Sequence, residues 1–464
     1  MTRRLLCAAL VTGALAACGS DAVVAPTQAT LSQTLPPTEG SNPSNHIRHV
    51  VLVIQENRSF DNLFATFPGA EGARRGQTST GKRVRLRKAD LDEACDFGHG
   101  WLAFIRDYDA GKMDGFDLEG GSKNCPGKAG TLPYQYVDPS QIAPYWDLAA
   151  DYVLADHMFQ TQGSGSFTAH QDLIAGSTAI NPLDSLVDFP STTPWGCDAL
   201  PGTTTSLLRG PGLSVRAPVT LKYLHLKGPF PCLTYETMRD LLDAKGVSWK
   251  YYTPPEPHGT GAFWDAFDAI KAVRYGPEWK TNVVQSDKAI FTDIANHALP
   301  AVSWLIPDDV NSDHPGPASD TGPSWVATVV NTIGESSYWH NTAVIVLWDD
   351  WGGFYDNVPP AFFDNLGGLG FRVPMLVISP YAREGGTSKG GYISHTQYEF
   401  GSVLRFVEDT FGLGRLGTTD TRATSIVDCF DFTQHPREFN RIPSKYSRAY
   451  FERQPPSYEP VDSE

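Results

Sequence analysis

Apolar and polar positions along the chain predict short buried strands alternating with helices. His49-Val50-Val51-Leu52-Val53-Ile54 is apolar at consecutive positions rather than at every second one, which predicts a strand covered on both faces. Similar runs lie at Val247 to Tyr252, Ala301 to Ile306, Thr342 to Trp348 and Val373 to Ile378. Helical patterns fall between them, at Tyr235 to Ala244, Pro323 to Ile333, and Gln397 to Phe411 before Gly412. This alternation predicts an α/β fold, an open and mostly parallel sheet sandwiched between helices. Ligands of such sheets bind outside the carboxyl ends of the strands.

The two ends read differently. Arg3 and Arg4 precede an apolar run from Leu5 to Ala17, too short to cross a bilayer but of signal-peptide length. Leu15-Ala16-Ala17-Cys18 resembles a bacterial lipoprotein cleavage box. Residues 1–18 are thus expected to be a lipoprotein signal peptide with Cys18 lipidated; ordinary cleavage after an Ala-x-Ala-like site is the alternative. Residues 19–45, rich in Ala, Thr, Ser, Pro and Gln, predict a flexible tether. Residues 46–450 then form one domain, and 451–464, with Pro455, Pro456 and Pro460, a disordered tail. The expected location is periplasmic or cell-surface, with membrane contact only through the anchor.

The net charge of -15 argues against nucleic-acid binding, which needs clustered positive charge. The brief stretch Lys82, Arg83, Arg85, Arg87, Lys88 predicts a solvated loop. Beyond Cys7 and Cys18 the chain has Cys95, Cys125, Cys197, Cys232 and Cys429. Export permits disulfides, and Cys95 with Cys125 and Cys197 with Cys232 are the sequence-near pairs, though spacing does not fix pairing. No Cys/His spacing suggests a structural zinc.

Chemistry gathers after the strands. Glu56-Asn57-Arg58-Ser59-Phe60-Asp61 follows the first strand and its Gln55; Asp308-Asp309 and Ser312-Asp313-His314-Pro315 follow another; Asp349-Asp350-Trp351-Gly352-Gly353 follows a third. If the sheet is parallel, these groups share one edge, where Glu56, Asn57, Asp349 and Asp350 can bind a hard divalent cation through oxygen. Singly, each is an ordinary cap or turn. Gly163-Ser164-Gly165-Ser166 opens a helical pattern, so Ser166 can stand at a helix amino terminus, a place that favours an anionic phosphoryl group.

These residues, in this order from about Ile47 to Leu413, resemble the phosphoesterase family of bacterial phospholipases C and acid phosphatases, of the alkaline-phosphatase-like superfamily. Met113-Asp114-Gly115-Phe116, Tyr145 to Phe159 and His395-Thr396-Gln397-Tyr398 are also similar to family stretches. The resemblance implies a hydrolase of phosphate esters acting through a metal-activated serine and a phosphoseryl intermediate. It implies Ser166 as nucleophile, His314 and His99 at the phosphoryl oxygens or leaving group, and Glu56, Asn57, Asp349, Asp350 and Ser166 around a divalent ion (Ca, Mg, Zn or Fe). His258 is a weaker match and His395 is structural or supporting, while His157 and His170 are left without a role. The substrate is a phosphate monoester or a phospholipid; a catalytically inactive cell-surface binding protein is the alternative. Gly165 stands where many relatives have Pro, Asp350 where many phospholipases have Glu, and Asn357 where many have His. Metal identity, oligomeric state and export route are not legible.

Overall fold

The computed structural model describes residues 43–92, 95–121, 125, 127–209, 224–255, 264–364 and 367–455. The expected signal peptide with Cys18, the tether as far as residue 42, His258 and the last nine residues lie outside them. Eight strands make the central sheet: β1 His49–Gln55, β2 Val153–Ala155, β3 Trp249–Tyr252, β4 Val283–Val284, β5 Val302–Leu305, β6 Thr342–Trp348, β7 Met375–Ile378 and β8 Tyr392–Ser394. Their order is β4-β3-β5-β1-β6-β7-β2-β8. All run parallel except β7, which is antiparallel to both its neighbours. The five expected strands are all present and the sheet is mostly parallel as expected; an apolar run carries no information about its neighbour's direction, so which strand runs against the rest is seen only in the structure.

Helices used below are α1 Ala143–Asp151, α2 Ser166–Ala175, α3 Met238–Lys245, α4 Gly322–Gly334, α5 Phe400–Phe411 and α6 Arg448–Arg453; others, such as Trp101–Tyr108, lie elsewhere in the chain. Register shows that they cover both faces. Leu52 pairs with Trp304 and Gln55 with Trp348, and two β1 residues three apart point to opposite faces. Trp304 donates from Nε1 to the Leu173 carbonyl of α2 at 3.3 Å, whereas Trp348 meets Tyr145 of α1 edge-on at 5.0 Å. Helices α1 and α4 pack together on one side, and α2, α3 and α5 on the other. The continuous apolar runs follow from this double cover: β1 is buried from Val50 to Gln55 and β6 throughout.

Several local expectations are corrected. The helix expected from Gln397 begins at Phe400, where Glu399 and Ser402 form a reciprocal cap. Pro43–Asn45, placed in the tether, is a tight turn with Pro43 buried. The tail does not begin at 451: Phe451 is fully buried in α6, edge-on to Trp325 at 5.4 Å, and Gln454 bonds Lys288 and Asn311. The basic stretch is solvent-facing as expected, but lies on short strands. A separate four-stranded antiparallel sheet between Ala179 and His225 follows α2. Cys95 bonds Cys125 and Cys197 bonds Cys232, while Cys429 is free and buried.

Phe451→Ala is expected to cost about 3–5 kcal/mol in urea unfolding, the usual penalty for emptying a buried aromatic site. A loss under about 1 kcal/mol would show that α6 frays and the tail does begin there.

Candidate active site

Strand register brings the carboxylates together. Because Gln55 lies opposite Trp348, the residues that follow each, Glu56-Asn57 and Asp349-Asp350, leave adjacent parallel strands side by side. Asn57 adopts the left-handed conformation, φ 53°, and its backbone N–H donates to Asp349 Oδ1 at 3.0 Å. Gly352, φ 59°, donates its N–H to Asp350 Oδ1 at 2.7 Å, and a Cβ there would meet the Asn57 carbonyl at 2.3 Å. Glycine is required at that turn by both conformation and space.

On the other flank of β1, strand β5 leads to His314. The Glu56 N–H donates to the Ser312 carbonyl at 2.8 Å and Arg58 Nε to the Asp313 carbonyl at 2.8 Å, fixing this loop against β1. Asp313, φ 74°, accepts from Tyr145 Oη at 2.7 Å and Trp348 Nε1 at 3.2 Å. Burial pushes its carboxyl up to about 6, against the pull of Arg58 and these donors.

Ser166 is the first residue of α2, preceded by Gly165, where a Cβ would sit 2.3 Å from the Phe189 ring. Its hydroxyl lies 3.2 Å from Asp350 Oδ2 and 3.4 Å from Asn57 Oδ1. His99 and His314 each place Nε2 3.1 Å from the Asn57 amide, and His99 Nε2 is 3.8 Å from Asp350 Oδ2. His99 Nδ1 faces the Phe97 carbonyl at 2.7 Å, which can only accept, so Nδ1 carries a proton. All seven expected site residues therefore meet in one cluster: Glu56, Asn57, His99, Ser166, Asp349 and Asp350 are fully buried, and only His314 keeps some exposure, at 7%.

The structure adds His170. One helical turn after Ser166, it sets Nε2 2.8 Å from Glu56 Oε1 and 3.9 Å from Asp349 Oδ2. Burial lowers its pKa to about 4, despite the opposing pull of Asp349, so the ring is neutral and has a lone pair to give. The sequence left its role open, since a single histidine in an apolar helical pattern has no visible partner; the Ser166-x-x-x-His170 spacing, one face of a helix, was the available signal. His395 lies elsewhere, bonding Asp156 from a largely exposed side chain just after β8 rather than opening a helix. Asn357 accepts from Arg372 at 2.8 Å and donates its N–H to Asp61 at 3.0 Å.

The donor set fits a cation. Among the described residues, Glu56, His170 and Asp349 offer ligand atoms that all lie within 4.8 Å of one another. Asp349 Oδ2 is buried with no hydrogen-bond donor. The Asn57 amide supports the same conclusion. With Nδ2 toward the two imidazoles, its Oδ1 stands 3.1 Å from Glu56 Oε2 and 3.2 Å from Asp349 Oδ1, three acceptors that a cation would reconcile. Turned over, the amide nitrogen donates to both carboxylates instead. One cluster thus has a cation-ready and a cation-free arrangement.

In chelator-treated protein, the unfolded chain protonates His170 below its ordinary 6.5 and the folded protein only near 4. The unfolded state binds more protons in that window, so stability falls as pH falls through it. Between pH 7 and pH 4.5 this group is expected to contribute roughly 2 kcal/mol of the loss, which His170→Asn should remove in urea unfolding. Parallel pH curves for the two proteins would refute this.

The Phosphoesterase family model matches residues 47–414. The chain is 25% identical over 419 residues to the non-hemolytic phospholipase C of Pseudomonas aeruginosa, covering 79% of this chain and 54% of that protein. It is 26% identical over 451 residues to phospholipase C A of Mycobacterium tuberculosis, covering 84% and 78% respectively. A solved structure of a protein in the alkaline phosphatase superfamily from Vibrio parahaemolyticus aligns over 82% of this chain and 72% of that one, with 11% identity and a TM-score of 0.38. The match spans most of the chain, with the candidate site inside it, and the chain belongs to the Phosphoesterase family.

Proposed function

We propose that the chain is a metal-dependent hydrolase of phosphate esters in which Ser166 is the nucleophile. The observation that carries this reading is the Ser166 hydroxyl, set at the amino terminus of α2 against Asp350 and Asn57. A divalent ion held by Glu56, Asp349 and His170, with Asn57, Asp350 and Ser166 beside it, would acidify a nearby hydroxyl and draw charge from the phosphoryl oxygens.

Asp350 Oδ2, 3.2 Å away, takes the Ser166 proton. The Oγ–P bond forms as the ester P–O bond breaks, and the departing oxygen takes a proton from His314, the most exposed of the three site histidines. His99, held by the Phe97 carbonyl, faces the phosphoryl oxygens. Water then attacks phosphorus as the Oγ–P bond breaks, His314 accepting a water proton and Asp350 returning its proton to Ser166 Oγ, which regenerates the hydroxyl and both acid–base groups. The α2 amino terminus favours the anionic group throughout.

The similarity to phospholipases C supports a phospholipid substrate. The Asp349-Asp350 pair instead favours a soluble monoester. Trp101, Tyr145 and Phe159, which a lipid-facing surface would need exposed, are buried and give a phospholipid substrate no support. The presence together of Glu56, Asn57, Ser166, Asp349 and Asp350 argues against an inactive binding protein. We further propose export and anchoring through Cys18, on the sequence alone.

Protein lacking residues 1–42 is expected to turn over p-nitrophenyl phosphate or p-nitrophenyl phosphorylcholine, and the preferred one decides between monoester and choline diester. Chelator should abolish the turnover, and Ser166→Ala should reduce it on the order of 10³-fold. A Ser166→Ala enzyme that keeps more than a few per cent of wild-type turnover would remove the serine from the mechanism.

A further inference from the structure

We propose that Trp264 is a substrate-binding residue whose indole N–H donates to a phosphoryl oxygen; this rests on the phosphoesterase reading above. Trp264 is 2% exposed and its indole lies near two imidazoles of the site. Its ring is 6.4 Å from that of His170, within 6° of parallel, and 5.8 Å from that of His314, at 26°. Its Nε1 is buried and has no acceptor. Leaving a buried donor unmet is unfavourable, and an anionic phosphoryl oxygen in the cluster is the kind of acceptor that would meet it.

The backbone indicates that this placement is enforced. Trp264 has φ 62°, a left-handed conformation that is uncommon for a bulky aromatic residue and clusters at functional sites. Tyr251 of β3 donates its hydroxyl to the Trp264 carbonyl at 2.8 Å and accepts from the Ala266 N–H at 3.2 Å. Gln171, in the helix that carries Ser166 and His170, donates to the Ala266 carbonyl at 2.8 Å. The indole is thereby fixed to both the sheet and the nucleophile's helix.

An unpaired indole alone proves little, since Trp325 also lacks an acceptor. Trp325, however, sits in the first turn of α4, and its aromatic neighbours are Phe291 and Phe451 rather than site imidazoles. The other tryptophans packed near the sheet have acceptors: Trp249 has Asp243, Trp304 has Leu173 and Trp348 has Asp313. Trp264 alone among these combines an unmet donor, a strained backbone and contact with two site imidazoles. Monoesters and diesters both offer anionic phosphoryl oxygens, so the assignment holds for either.

Trp264→Phe keeps an aromatic ring against the histidines and removes the N–H. It is expected to raise the inhibition constant of inorganic phosphate about 10-fold or more and to lower kcat/KM for p-nitrophenyl phosphate by about 10- to 100-fold. Its Tm should stay within about 3 °C of wild type. Unchanged phosphate inhibition and turnover would overturn the assignment, leaving Trp264 as packing. If the variant does not fold, nitrogen-15 indole spectra of the wild-type protein decide: one buried indole N–H should move downfield on adding phosphate, and none moving would overturn it. A wild-type protein with no phosphoesterase turnover would instead overturn the functional reading, and this assignment with it.

Discussion

Glu56, Asp349 and Asp350 lie fully buried at the ends of two adjacent strands. Carboxylates that close repel one another and lose hydration, a combination that proteins tolerate only with donors, protons or a cation in place. Part of the compensation is built in: backbone N–H groups of Asn57 and Gly352 reach Asp349 and Asp350, and His170 reaches Glu56. It is incomplete, since Asp349 Oδ2 has no donor. The left-handed turns at Asn57 and Gly352 follow from this constraint, because they aim amides that would otherwise point elsewhere.

The rest of the fold delivers groups to that charge. Parallel pairing of β5, β1 and β6 puts three strand ends on one edge, so the cluster depends on register more than on any single side chain. Helix α2 contributes Ser166 and His170 one turn apart, and the Trp304–Leu173 bond ties that helix to β5. Tyr145 from the opposite face fixes Asp313, and through it the loop bearing His314. Both helical layers thus reach the site, which is consistent with its near-complete burial.

Much of this was legible in the sequence. Continuous apolar runs located β1, β5 and β6 because both faces are covered, and the polar residues after them marked the edge at once. The direction of β7 was not legible, since pairing direction leaves no trace in a short apolar run. Strands β2 and β8 are three residues each, too short for any pattern. His170 and Trp264 were missed for one reason: a histidine or tryptophan among apolar neighbours looks like core until a second group is seen against it. Proline content suggested that the tail begins at 451, but Phe451 and Gln454, which precede those prolines, still have partners on the domain.

The account turns on a cation completing the buried carboxylate cluster. The most direct test is thermal unfolding at neutral pH of protein stripped by chelator, before and after a divalent ion is restored, with bound metal measured in the same samples. A ligand that binds only the folded state stabilises it by mass action, so the account predicts about one ion per chain and a Tm several degrees higher on reloading, both lost in Asp349→Asn. An unchanged Tm with no ion retained would contradict it, and would mean that protons or the turned-over Asn57 amide neutralise the cluster instead.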